Sequence, residues 1–231
     1  MAETTPAFLI EKPLTTQLEQ VPALKHATRG KVAGVAYVYR AHPGVQAARE
    51  LIRAGKIGEL LQVTIVTGQH FPTFRPAYRE IYYKDRATGG GAIQDAVTHM
   101  CDLVQFVAGD FNWVFCDASH QALPGVEVED TVHLVGRVAN ERVMVTIALN
   151  QFMAPNEGFI HLNGSQGSVE LRLHESRWGL LRHDMPDWEW TPFPLKERDD
   201  LFRLQAAHFL GPVREPSRCC ALWKRPSEHY G

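Results

Sequence analysis

Apolar spacing divides the chain into an opening strand–helix–strand pattern, a helix, one alternating strand, a long polar and aromatic gap, a second helix and a series of short alternating segments. "AFLI" (7–10) has the length of a buried strand end, and Pro13 stops it. Thr16 and Glu19 have capping-box spacing, which predicts a helix from near Thr16 to Gly30, with Pro22 kinking it or delaying its start. "KVAGVAYVYR" (31–40) is apolar at almost every position, as expected of a parallel strand covered on both faces. The three pieces together make a βαβ unit. A second helix is expected from Pro43 to Ala54, with Val45, Ala48, Leu51 and Ile52 inward. "LQVTIVTG" (61–68) then alternates, which puts Leu61, Val63 and Ile65 on one strand face. After a long aromatic and basic loop (69–88) and a glycine-led helix, strands are expected at about 111–119, 129–138, 142–150, 158–163 and 168–173. "RWGLL" and "WEWTPF" add one or two more. Short turns at 138–143 and 163–168 imply antiparallel pairing. A last short helix covers 201–210.

The glycine-led helix, "TGGGAIQDAVTHMCD" (88–102), carries the candidate chemistry. At about 100° per residue, Asp95, His99 and Asp102 share a narrow stripe opposite Ile93, Val97, Met100, Val104 and Val107. Residues 87 to 109 contain no Lys, Arg or Glu, which a solvated helix face would carry. The helix therefore reads as mostly enclosed, and enclosed ionisable groups need partners or a task. Gly89, Gly90 and Gly91 let a ligand or another backbone approach closely. The plainer reading is a flexible loop and a helix whose His99 is simply bonded to Asp95.

A composition of 45% apolar and 22% charged residues in 231 is that of a globular protein. The formal charge of −2 gives no reason to expect nucleic acid or an anionic membrane as partner. No apolar run is long enough to span a bilayer, and the start has no secretory pattern. Cys101, Cys116, Cys219 and Cys220 lack zinc-type spacing, so reduced thiols in a cytoplasm are expected. The eleven histidines include no H-E-x-x-H, and no metal site is expected.

"EKPL", "VAYVYRAHP", "ARELIRAGKIGEL", "TGGGAIQDAVTHMCDLVQFVAGD" and "HLNGSQGSVEL", in this order, resemble the glucose–fructose oxidoreductase / inositol dehydrogenase / MocA (Gfo/Idh/MocA) family over residues 8 to 210. The resemblance implies an α/β (α+β) fold: a large, mostly antiparallel sheet with helices on one face, plus the last βαβ remnant of a Rossmann domain. It divides the chain into a remnant of the dinucleotide-binding domain (1–40) and a substrate and oligomerisation domain (41–231). It implies NAD or NADP as cofactor, with Glu11, Lys12 and Pro13 on the cofactor side. Lys12, Asp95 and His99 match the family's catalytic residues, and Arg40, Tyr78, Tyr82 and Arg86 are expected substrate contacts. His99 would take the proton of a substrate hydroxyl as hydride leaves, and Lys12 would favour the developing alkoxide.

No G-x-G-x-x-G occurs anywhere in the sequence, so the chain reads as an N-terminally truncated member, impaired when it stands alone. A second chain supplying the missing Rossmann half is one expected partner. The function expected is hydride transfer from a sugar, polyol or similar hydroxyl compound. A non-catalytic binding or oligomerisation module is the alternative, and a lyase or hydrolase variant a third. A homodimer or higher oligomer is expected through the sheet face that the helices leave uncovered, because strand positions including Val132, Leu134, Val138, Val143, Val145, Ile147 and Leu149 are read as apolar on both faces.

Overall fold

The computed structural model describes residues 7–195 and 197–214. The adjacent Cys219 and Cys220 lie outside the described residues, as does the proline-bearing tail from 215 onward. Strand β1 (Ala7–Ile10) and strand β2 (Val32–Val35) pair in parallel, joined through helix α1 (Val21–Ala27), so the opening is a βαβ unit. The helix is shorter than its expected span of 16 to 30. Pro22 lies in its first turn, where a missing N–H costs nothing, and the Thr16–Glu19 box caps no helix. Strand β2 is also shorter than the apolar run 31–40. The chain turns at Tyr37 into a 3₁₀ turn, Val38–Ala41, and this turn leads into helix α2 (Pro43–Arg53).

Strand β3 (Leu60–Gly68) enters a second sheet. A bulge separates Leu60 from Gln62 in its pairing, so Leu61 loses the phase of Val63 and Ile65. Leu61 is exposed while Val63 and Ile65 are buried, against the expectation that all three share a face. A π-helical turn, Ile93–Val97, runs into helix α3 (Thr98–Ala108). Strands β4 (Phe111–Ser119), β5 (Thr131–Val138), β6 (Val143–Asn150), β7 (Glu157–Gly164), β8 (Gly167–Arg172), β9 (Arg177–Arg182) and β10 (Glu189–Pro192) follow. The chain reaches helix α4 (Arg198–Arg214), longer than the span 201–210 read from apolar spacing. It packs on β2 and the 3₁₀ turn after it, tying the βαβ unit to the rest. No helix among the described residues is long and apolar enough to cross a membrane.

The eight strands stand in the order β10-β9-β8-β7-β3-β6-β5-β4. Only β3 and β6 run parallel; every other neighbouring pair is antiparallel. Helices α2 and α3 cover one face, and the core lies between them and the strands. Val132, Leu134, Val138, Val143, Val145, Ile147 and Leu149 all belong to this core, each no more than 5% exposed. They are not spread over both faces as expected, because a period of two puts every one of them on the helix side. The opposite face carries Val66, Phe115, Val135 and Met144 among His133, Arg137 and Thr146.

The three glycines receive protein rather than solvent. A Cβ on Gly90 would lie 2.2 Å from the Tyr83 carbonyl oxygen, and one on Gly91 2.4 Å from the Glu129 carboxylate; one on Gly89 would touch the Pro13 ring at 3.4 Å. Gly91 also has φ +88°, which L side chains rarely adopt. Gly91→Ala is expected to destabilise the fold by about 2–4 kcal/mol, from the positive φ together with displacement of a buried carboxylate. Gly30→Ala, at φ +78° with open space around it, should cost only about 1 kcal/mol. Urea unfolding of the two variants checks this; equal losses would contradict it.

Candidate active site

Three distant stretches meet at the π-helical turn. Its Asp95 is 4% exposed, and both carboxylate oxygens are occupied. Lys12 donates from Nζ to Oδ1 at 3.0 Å and to the Asp95 carbonyl oxygen at 2.6 Å. The Tyr82 hydroxyl donates to Oδ1 at 2.6 Å, and Arg75 Nη1 to Oδ2 at 3.0 Å. Burial pushes the carboxyl pKa up, but Lys12, the Tyr82 hydroxyl and Arg75 outweigh it, so Asp95 is held below its ordinary value and stays charged. Burial and the bond to Asp95 push Tyr82 up to about 12, so it remains a donor at neutral pH.

His99 lies one turn further along and does not bond Asp95, whose oxygens are taken. Its ring stands edge-on to Tyr37 at 5.5 Å and to Tyr39 at 5.9 Å between centroids. Its Nδ1 is buried without a hydrogen-bond partner. Burial lowers its pKa from 6.5 to about 4, and the nearby Lys12 and Arg75 charges add to this against the pull of Asp95. The imidazole is therefore neutral at pH 7 and able to accept a proton. Lys12 is thus bonded to Asp95, and the charges of both act on the His99 ring.

The other expected contacts divide. Tyr82 reaches the cluster. Tyr78 does not: it is 1% exposed in a separate apolar cluster with Phe71, Tyr83, Leu123, Val126 and Val128, and its hydroxyl donates to the Pro124 carbonyl. Arg40 grips Asp102 through Nε and Nη2, at 2.7 to 3.0 Å. Asp102 shares an angular stripe with Asp95, but seven residues of helix rise about 10 Å, so the two carboxylates serve different partners. Arg86 pairs with buried Glu129 at 2.9 Å rather than lining the cluster. Glu129 also accepts from the Ile93 N–H at 3.1 Å and so caps the π-helical turn. Glu11 is exposed, while Pro13 packs against Gly89.

Arg75, Glu129, Tyr37 and Tyr39 were missed from sequence. Arg75 and the basic, aromatic loop around it carried a signal; the two tyrosines looked like ordinary strand residues. Among the described residues no group of three His, Cys, Asp or Glu side chains is arranged to hold a metal ion. A groove of about 270 Å³ lies at the other end of the same helix, beside Ile52, Leu61, Val107 and Arg142, away from this chemistry.

The family model described as GFO/IDH/MocA C-terminal domain matches residues 45–170. The levoglucosan dehydrogenase of Pseudarthrobacter phenanthrenivorans is 30% identical over 193 residues, 73% of this chain and 50% of that protein. A solved levoglucosan dehydrogenase in complex with NADH superposes with a TM-score of 0.80 at 20% identity, over 90% of this chain and 64% of the other. An oxidoreductase domain protein from Kribbella flavida gives 0.75 at 21% identity, over 90% of this chain and 66% of the other. The chain thus spans half the length of the curated relative and about two thirds of these solved ones. The likeness in structure supports the eight-stranded fold.

His42, which caps α2 by accepting the Gly44 N–H on Nδ1, is likewise lowered to about 4 by burial. Both histidines bind a proton less readily folded than unfolded, so stability is full above pH 6.5 and falls as pH drops toward 4. Between pH 7 and pH 4.5 each should cost about 1–2 kcal/mol after allowance for partial solvent access. Urea midpoints at the two pH values measure it, and the loss should shrink in His42→Gln. An unchanged midpoint in the parent chain would contradict the assignment.

Proposed function

Because the chain belongs to the GFO/IDH/MocA family of oxidoreductases, we propose that it forms the substrate-holding part of an NAD(P)-dependent dehydrogenase acting on a sugar, polyol or similar hydroxyl compound. One observation carries this reading: a histidine neutral at pH 7, with a buried unpaired nitrogen, stands beside a lysine held on a buried aspartate. The reaction converts a secondary alcohol into a ketone, releasing one proton and one hydride. His99 takes the hydroxyl proton, and its neutral state at working pH makes it competent to do so. Lys12 has three ammonium donors and spends two on Asp95, which leaves one for the substrate oxygen as negative charge builds there. Asp95 keeps that ammonium charged and fixed in place.

A nicotinamide ring, when bound, supplies the hydride acceptor. The residues present fit the reactive end of such a cofactor: Pro13 packs against Gly89 and Lys12 is held on Asp95, both at the start of the helix that carries His99. They do not fit its phosphates, since the sequence holds no G-x-G-x-x-G turn. In this reading residues 1–40 are the end of a dinucleotide-binding domain, and the phosphate cradle comes from residues beyond this sequence or from a partner chain. The alternative reading is a binding or oligomerisation module without catalysis.

With a dinucleotide-binding half supplied, His99→Ala should lower kcat by roughly 10²–10⁴ while the circular dichroism spectrum is unchanged. Lys12→Met should act in the same direction. Hydride transfer is followed as NADH absorbance over a panel of polyols and sugars. Full activity in His99→Ala would defeat the assignment, and saturable substrate binding without NADH formation would favour the module.

The open sheet face is read as a self-association surface, since Phe115 is 67% and Met144 51% exposed there. A dimer is expected by light scattering at tens of micromolar, converted to monomer by Phe115→Glu; a monomeric parent chain would refute this.

A further inference from the structure

The cluster at Asp95 is not neutral. One carboxylate serves two cations, Lys12 and Arg75. The other ionic contacts described around it are balanced pairs, Arg86 with Glu129 and Arg40 with Asp102. The charges that reach the His99 ring are Lys12, Asp95 and Arg75, two positive and one negative.

Arg75 also has donors to spare. Its guanidinium gives Nη1 to Asp95, lies beside the Tyr82 hydroxyl and stacks over the Phe71 ring at 5.1 Å. It remains 41% exposed in its side chain, and a guanidinium carries five N–H donors in a planar fork. Lys12, only 17% exposed, bonds the other oxygen of the same carboxylate. A planar anion is the ligand group that such a fork matches.

We propose that the site selects an acidic polyhydroxy compound, a sugar acid rather than a neutral sugar, with its carboxylate on the free edge of Arg75 and a hydroxyl between Lys12 and His99. The proposal rests on the reading of this cluster as the substrate site. Arg75 is then a specificity residue, and the excess positive charge is the part of the site that the substrate completes. A purely structural Arg75, present only to fasten the loop to Asp95, would leave neutral and acidic ligands equal.

Calorimetric binding of D-glucuronate and D-glucose to the full chain, at fixed ionic strength and without cofactor, separates the two. Glucuronate should bind at least about tenfold tighter than glucose, the effect expected of one charge-assisted contact. In Arg75→Gln the ratio of the two affinities should collapse toward one, whatever both ligands lose together, and Arg75→Lys should recover part of it. Equal affinities in the parent chain, binding of neither sugar at millimolar concentration, or an unchanged ratio in Arg75→Gln would each overturn the proposal. So would acetate competing as well as glucuronate, which would mark a general anion site. None of these outcomes depends on hydride transfer. Selective glucuronate binding by the chain, with no NADH formed even when a dinucleotide-binding half is supplied, would refute the dehydrogenase reading and leave this one standing.

Discussion

A single buried carboxylate organises the candidate site. Asp95 cannot stay charged in its enclosed position without donors, and it draws them from Lys12 beyond the first strand and from Arg75 and Tyr82 in the loop 69–88. Each donor drags a stretch of chain with it. The strand end is brought to the helix, the loop is folded over both, and the ammonium and imidazole come to share one small volume. Removing the carboxylate would leave two cations facing each other at the centre of this assembly.

The glycines and Glu129 are the steric half of the same arrangement. The loop 69–88 lies so close to the start of the helix that no side chain fits at Gly90, and the Glu129 carboxylate leaves no room for one at Gly91. Glu129 fills the remaining space, caps the π-helical turn and holds Arg86. The loop is thus fastened at two carboxylates, Asp95 and Glu129, and packed beneath by Tyr78 and Tyr83. Its order comes from aromatic burial and buried ion pairs, since its only regular structure is a series of single turns.

Much of this was legible from local pattern. The βαβ opening and the antiparallel strands follow from apolar period, whereas the nearness of Lys12 to Asp95 was expected only from the family resemblance. What escaped had non-local causes. The bulge at Leu61 depends on pairing with β7, a hundred residues away. The fate of Arg40 and Arg86 was set by Asp102 and Glu129, carboxylates that no spacing rule connects to them. Tyr78 looked like a pocket residue because loop aromatics often are, but the loop has a small core of its own. On β5 and β6 the error was one of phase: Val132 and Val143 are both inward, and only the interleaved His133, Val135 and Met144 report the other face.

The position of β3 bears on how the chain reaches this state. It lies between β6 and β7 at the middle of the sheet, with Val63 beside Val145 on one edge and Leu162 on the other. Its partners are therefore made long after it during synthesis, and each pairing closes a loop of some eighty to a hundred residues. Contacts so distant in sequence slow folding, because chain entropy is lost before any burial is gained. Until β6 and β7 arrive, β3 is an apolar strand with two bare edges, and the loop that follows it has no fixed anchor.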